Sequence, residues 1–185
     1  MENVSGNWVA VAKAAGTAVV TVTDNAGNSG SLTLTVEGSA PDIPAPAPSG
    51  GIDLSANMDV RLEMIRLINQ TRRENGMPEL EVNEALMDTA QYCAAQQFRE
   101  HGQHEWQAMR DYGWPYGGRF NLTWFTATGL RYAVWAAVYN WTNSPGHFQT
   151  MLSDTGTCVG TGAALVGGTA YCYMVVGNPN AHSPL

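Results

Sequence analysis

Lysine is nearly absent from this chain: among 185 residues only Lys13 is a lysine, and the formal net charge is -7. A protein that binds the phosphate backbone of a nucleic acid needs clustered lysine and arginine. We therefore expect no nucleic-acid partner. With 44% apolar and 14% charged residues, the chain has ample material for a packed core and differs from a disordered protein.

Long apolar runs are also missing. No stretch of about 18 consecutive apolar residues occurs, so we expect no transmembrane segment. The first residues do not show a charged segment followed by an apolar one, which is the pattern of a secretory signal. If the protein is exported, we expect its signal peptide to lie outside this sequence.

Cysteine is scarce, with three residues in the whole chain. Three are too few for a disulfide scaffold, and an odd number leaves at least one unpaired. Cys158 and Cys172 lie on the two strands of a predicted C-terminal hairpin and could be bridged. A turn at Gly167-Gly168 would place Cys158 opposite Gly177, so the bridge needs a shifted register or a longer loop. Cys93 is expected to be a buried, inert thiol.

The chain is predicted to have three parts. Residues 1–38 contain two Val/Thr/Leu-rich runs, 18–24 and 31–36, on either side of an Asn/Gly-rich turn, a pattern that predicts a hairpin. This segment resembles the last strands of a bacterial immunoglobulin-like repeat. Residues 39–53 are rich in proline and glycine, which favours an extended, jointed linker. Residues 54–185 are expected to form the main domain.

The main domain is predicted to have helices first and strands last. A helix capped by Asp59 or Ser55 should end near Asn75, and a second should begin after Asn83 and reach His101. The remaining predicted elements are a loop over 102–128, a buried helix over 130–141, and hairpin strands at 159–164 and 169–176. This order indicates an α+β fold.

Four motifs in the main domain, taken in their order along the chain, carry a resemblance to a known family. They are Leu67-Ile-Asn-Gln-Thr-Arg-Arg-Glu-Asn-Gly76 with Pro78 and Leu80, Phe98-Arg-Glu-His101, Asn143-Ser-Pro-Gly-His147 and Val159-Gly-Thr-Gly162. Over residues 60–177 the chain resembles the CAP superfamily of SCP-like extracellular proteins (cysteine-rich secretory, antigen 5 and pathogenesis-related proteins), its bacterial branch above all. The resemblance implies a three-layer α-β-α sandwich, here with a small N-terminal β appendage.

The family's central cleft holds two histidines and two glutamates, which bind zinc or another divalent ion in some members. By position, His101 and His147 match the two histidines. Phe120, just before Asn121, stands where the first glutamate is expected, and Ala136 where the second is. Because zinc sites need three or four protein ligands, we expect no resident cofactor, and at most weak binding of a divalent metal such as zinc by the two histidines.

Two local alternatives stay open. If the loop after His101 folds back, His104 and Glu105 could complete a substitute site with His101 and His147. Alternatively, the histidines are structural: His101 could complement the negative end of the helix before it, and His147 could set a turn. Ser144 precedes His147, but no aspartate orients either residue, which gives nucleophilic catalysis little support.

The resemblance leads to three functional hypotheses. The first is a non-catalytic, extracellular or cell-surface module that binds a surface protein or a small apolar or sugar-like ligand. Tyr132 favours such a ligand, since it shares the helix face that the missing glutamate would occupy. The alternative is a hydrolase of peptide or cell-wall substrates that uses His101 and His147. The third is an architectural module whose cleft is filled by Phe120 and Tyr132.

Overall fold

The computed structural model describes residues 2–4, 7–9, 16–36 and 51–184, and the chain divides into two compact units, Met1–Pro44 and Ala45–Leu185. Most of the predicted linker, residues 39–50, lies outside the described residues. Within the described ranges, no helix combines the length and the apolar character needed to cross a bilayer.

The first unit contains two antiparallel strand pairs. They are β1 (Glu2–Val4) with β2 (Asn7–Val9), and β3 (Gly16–Thr23) with β4 (Ser29–Val36). The predicted hairpin is confirmed by the second pair. Its turn is closed by Asp24, whose carboxylate accepts hydrogen bonds from the backbone N–H groups of Ala26 and Asn28.

The second unit is a four-stranded sheet between helices. Its elements are α1 (Met58–Glu74), β5 (Glu81–Val82), α2 (Glu84–Ala95), α3 (Gln103–Asp111), β6 (Tyr116–Thr126), α4 (Leu130–Thr142), α5 (Pro145–Met151), β7 (Cys158–Val166) and β8 (Thr169–His182). The strand order is β5-β7-β8-β6, with β5 parallel to β7 and the other pairs antiparallel. The long strand β6 is therefore an edge strand.

Alternating side chains of the sheet belong to two separate cores. On β8, Cys172 and Met174 pack in the core that α1 and α4 complete, whereas Tyr171 and Tyr173 pack in the core that α2 and α3 complete. This period of two buries both faces of the central strands. The expected α+β class and the α-β-α layering are confirmed.

Two glycines of β7 allow α2 to lie directly on the sheet. A Cβ atom at Gly160 would come within 2.0 Å of the Leu86 carbonyl carbon, and one at Gly162 within 2.0 Å of the Ala90 carbonyl oxygen. The Val159-Gly-Thr-Gly162 motif therefore serves close packing of strand and helix backbones.

Two buried arginines attach α1 to its surroundings. The Arg61 guanidinium donates to the carbonyl oxygens of Thr161 and Met87, each at 2.8 Å, and to two more at the start of the unit. Arg72 donates to the carbonyls of Pro78, Met151 and Ser153. Burial lowers the pKa of Arg61 to about 10, so the group stays charged at neutral pH.

The predicted continuation of the second helix to His101 is wrong, because α2 ends at Ala95. Gln97 adopts a left-handed conformation with φ 61°. Its N–H bonds the Ala94 carbonyl, and the Phe98 N–H bonds the Cys93 carbonyl. This is a Schellman motif with glutamine in the position usually held by glycine, so no glycine marks the end of this helix in the sequence.

Three further expectations need correction. The loop predicted over 102–128 contains α3 and β6. Neither Asp59 nor Ser55 caps the first helix, which begins after Asn57 without a side-chain cap. The C-terminal hairpin is confirmed, but a disulfide between its strands is not: all three cysteines of the chain are free. Cys158 pairs with Gly177 as expected, and Cys172 belongs to the core on the opposite face.

Candidate functional site

His101 lies in the short connection between α2 and α3, and a buried carboxylate holds it there. Its Nδ1 atom is 2.8 Å from one oxygen of Glu105, which is 1% exposed. The second carboxylate oxygen accepts a hydrogen bond from the Gly102 N–H at 3.2 Å, at the start of α3. The prediction that His101 complements the negative end of the preceding helix is therefore wrong. The residue instead lies just before the positive N-terminal end of α3.

His147 lies in the first turn of α5, which Pro145 begins. Its Nδ1 atom is 2.9 Å from the hydroxyl of Ser144. Its backbone carbonyl accepts a hydrogen bond from the Asn121 side chain of β6 at 2.9 Å. Both imidazoles thus use Nδ1 for a partner within the protein, which leaves both Nε2 atoms for a ligand.

The two histidines line one cavity of about 290 Å³. Its lining residues are Arg99, Glu100, His101, Leu122, Thr123, Trp124 and His147. A second cavity, of about 480 Å³, shares His101 and is lined also by Gly102, Glu105, Trp106, Gly118, Arg119, Phe120 and Thr150. We call the two cavities together the β6 groove, because residues of β6 line both.

The two imidazoles differ in charge. The hydrogen bond that His101 donates to the Glu105 carboxylate raises the pKa of His101 above its ordinary value, against the opposing effect of burial. Burial lowers the pKa of His147, and the nearby charge of His101 lowers it further. The groove therefore pairs one imidazole that favours its charged form with one that favours its neutral form.

Of the predicted site residues Phe120, His104 and Tyr132, the first lines the β6 groove and the other two do not. Phe120 lines the second cavity and makes an edge-on contact with Trp106. His104 packs against Phe98, with ring centroids 4.0 Å apart, and lines neither cavity. Tyr132 is 62% exposed on α4 and packs on a neighbouring tryptophan, so it does not fill a gap between the histidines.

Sequence reasoning missed the cationic and aromatic residues of the groove. The Arg99 guanidinium lies 4.4 Å from the ring centre of Trp124 and donates to the Tyr171 hydroxyl at 2.8 Å. Trp124 is nevertheless 45% exposed. The Phe-Arg-Glu-His motif already contains Arg99, but only the pairing of β6 with β8 brings Trp124 next to it.

The residues of the groove fit a resident zinc ion poorly. Among the described residues, no group of three or more His, Cys, Asp or Glu side chains is arranged to hold a metal ion. Glu105 is engaged by His101 and Gly102, and Phe120 and Ala136 offer no donor atom. Two imidazoles supply half of a tetrahedral zinc site and no negative charge. The prediction of weak or no zinc binding rests on this donor set.

The fold and groove define an α-β-α sandwich with a two-histidine cleft. Residues 65–178 match the model of the CAP family, described as the cysteine-rich secretory protein family, and the chain belongs to this family. The comparison with curated proteins finds no match.

Solved structures support the same fold. An outer surface protein of Borrelia burgdorferi has a TM-score of 0.50 at 16% identity, over 69% of this chain and 96% of that one. Venom allergen-like protein 4 of Schistosoma mansoni has a TM-score of 0.50 at 12% identity, over 68% and 96%. An extracellular protein of Bacillus anthracis containing an SCP domain has a TM-score of 0.50 at 16% identity, over 80% and 47%.

Proposed function

We propose that the protein is an extracellular or cell-surface module that binds a sugar-like ligand in the β6 groove without a metal ion. The observation that carries the proposal is the pair of cavities on either side of His101, lined by exposed polar and aromatic side chains. The immunoglobulin-like character of residues 1–38, the bacterial origin and the linker over 39–53 are part of this proposal and would suit surface display.

The lining favours a polyhydroxyl ligand over an apolar one. In the first cavity five side chains besides Trp124 carry hydrogen-bonding groups, and they are Arg99, Glu100, His101, Thr123 and His147. Trp124 supplies a partly exposed aromatic ring on which a sugar ring can stack. An apolar ligand would leave these polar groups without partners, which costs binding energy.

Binding measurements on the whole chain test this proposal. Intrinsic tryptophan fluorescence and calorimetry in a chelator-containing buffer would compare neutral and acidic oligosaccharides with a long-chain fatty acid. We expect one or more oligosaccharides to bind, and Trp124→Ala, His101→Ala and His147→Ala each to weaken binding several-fold. Tyr139→Ala, which removes an exposed ring on α4, is the matched control and should have no effect.

Two results would contradict the proposal. One is preferential binding of the fatty acid. The other is oligosaccharide binding that Tyr139→Ala weakens as much as Trp124→Ala does.

A second candidate, hydrolysis of peptide or cell-wall substrates, is favoured by one contact. Glu105 orients His101 through Nδ1 as a carboxylate orients a general base, with Nε2 available to a water or a hydroxyl group. Turnover of a peptidoglycan fragment, followed by mass spectrometry, tests it. Activity lost in His101→Ala and in Glu105→Gln would support catalysis, and activity unchanged in both would exclude the groove as its source.

A further inference from the structure

We infer that the ligand of the β6 groove is an acidic oligosaccharide, whose carboxylates are bound by Arg99 and Arg119 on the two sides of His101. This inference rests on the proposed function and specifies its ligand class. It is carried by the placement of the two arginines relative to the cavities and by the charge of the remaining surface.

Most other arginines of the chain have assigned partners. Arg61 and Arg72 are buried and bind backbone carbonyls. The exposed residues Arg66, Arg73 and Arg131 form ion pairs with Glu63, Glu79 and Asp59. Each of these five is held by an acceptor of the protein itself.

The arginines of the groove have donors to spare. Arg99 uses one N–H of Nη2 for the Tyr171 hydroxyl, which leaves the second Nη2 hydrogen beside the N–H groups of Nε and Nη1. The contact of its guanidinium with the Trp124 ring, at 4.4 Å, holds the group beside the first cavity. Arg119 lines the second cavity and, among the described residues, forms no ion pair. Two adjacent free N–H groups on one edge of a guanidinium match a carboxylate in bidentate geometry.

The groove is elongated along the edge of the sheet. Residues 118–120 of β6 line the second cavity and residues 122–124 line the first. Positions 119 and 123 are four steps apart along the strand, a distance of about 13 Å. Residues from both faces of β6 contribute, as expected where a groove follows a strand edge. A short chain of sugar rings fits this shape better than a single ring.

The local charge contrasts with that of the whole chain. The formal net charge is -7. In the groove, Glu105 is balanced by His101, and Glu100 is the one other carboxylate that lines a cavity. Two guanidinium groups against one carboxylate make the groove a positive region on an acidic protein. Such a region attracts an anionic ligand, whereas the remaining surface repels it.

The test compares tri-galacturonic acid with its full methyl ester, which keeps the sugar rings and removes the charges. Calorimetry at low salt should show tighter binding of the acid by about tenfold or more, a difference that weakens as salt is added. Arg99→Gln and Arg119→Gln should each remove most of that difference. Arg131→Gln, an exposed arginine of α4 outside the groove, should leave it unchanged. Glu100→Gln should tighten binding of the acid.

The outcomes separate this inference from the proposed function. Equal binding of acid and ester, with loss of both in His101→Ala, would overturn the acidic preference and leave sugar binding intact. The acidic preference would also be overturned if Arg99→Gln and Arg119→Gln both left binding of the acid unchanged. Failure of every oligosaccharide, acidic or neutral, would overturn the proposed function itself.

Discussion

The Nδ1 atom of His101 lies 2.8 Å from the buried carboxylate of Glu105. The family resemblance places Phe120 and Ala136 where the two glutamates of the cleft are expected, and the sequence offered Glu105 as part of a substitute site. The structure places the buried carboxylate of Glu105, a residue of α3, at the groove. It contacts one histidine only, so it orients and charges that imidazole instead of completing a metal site.

The two imidazoles should titrate separately. We expect NMR titration to give a pKa above the ordinary value for His101 and below it for His147. The stabilising contact of protonated His101 with Glu105 is fully present below the ordinary histidine pKa, near 6.5, and is lost as pH rises through the folded-state pKa. Glu105→Gln should lower the pKa of His101. An unchanged value in that variant would contradict the assigned cause.

Zinc should bind weakly or not at all. Calorimetric titration of the whole chain with zinc is expected to show no saturable binding in the micromolar range, because two imidazoles supply an incomplete site and the Glu105 carboxylate is already engaged by His101 and Gly102. Micromolar binding that His147→Ala abolishes would prove this prediction wrong. His182→Ala is the control, since that residue lies in the exposed C-terminal segment.

Removal of the Arg61 guanidinium should strongly destabilise the second unit. Arg61→Leu leaves four carbonyl oxygens without their donor. We expect the free energy of unfolding to fall by about 3 kcal/mol or more. Arg66→Leu is the matched control on the same helix and should change it by less than about 1 kcal/mol, because its ion pair is exposed. Urea denaturation measures both, and similar losses would refute the role given to Arg61.

The close contact of α2 with β7 makes Gly162 intolerant of a methyl group. Gly162→Ala would put Cβ 2.0 Å from the Ala90 carbonyl oxygen, and we expect a loss of at least about 2 kcal/mol. Gly146→Ala, in α5, has no atom within 4 Å of the added carbon and should be neutral or stabilising by about 0.5 kcal/mol. Thermal melts of both variants give the comparison. Equal melting temperatures would mean that α2 can move away.

Much of the fold could be predicted from local sequence patterns. The helix over 130–141 and the turn of the C-terminal hairpin were predicted closely, because a nearly all-apolar helix and a Gly-Gly turn are strong signals, although β8 continues to His182, beyond the predicted end at 176. The strand β6 was not predicted, since its burial does not alternate simply. As an edge strand it has one partner, β8, and its side chains form the wall of a groove, so tertiary contacts decide its conformation.

The site could be predicted only in part for a similar reason. Motif positions identified His101 and His147, which share a cavity. They could not identify Trp124 or Arg119, whose roles depend on the register of β6 against β8. His104 was included because it lies three residues after His101, but successive side chains of a helix point about 100° apart, so His104 contacts Phe98 and Glu105 contacts His101.

The anchoring of α1 has a consequence for how this scaffold can diversify. Arg61 and Arg72 bind main-chain carbonyls, which every amino acid provides, so exchange of the neighbouring side chains leaves these attachments in place. The attachment of α1 therefore does not depend on which side chains surround it. Substitutions at the cleft can therefore leave the same architecture in place.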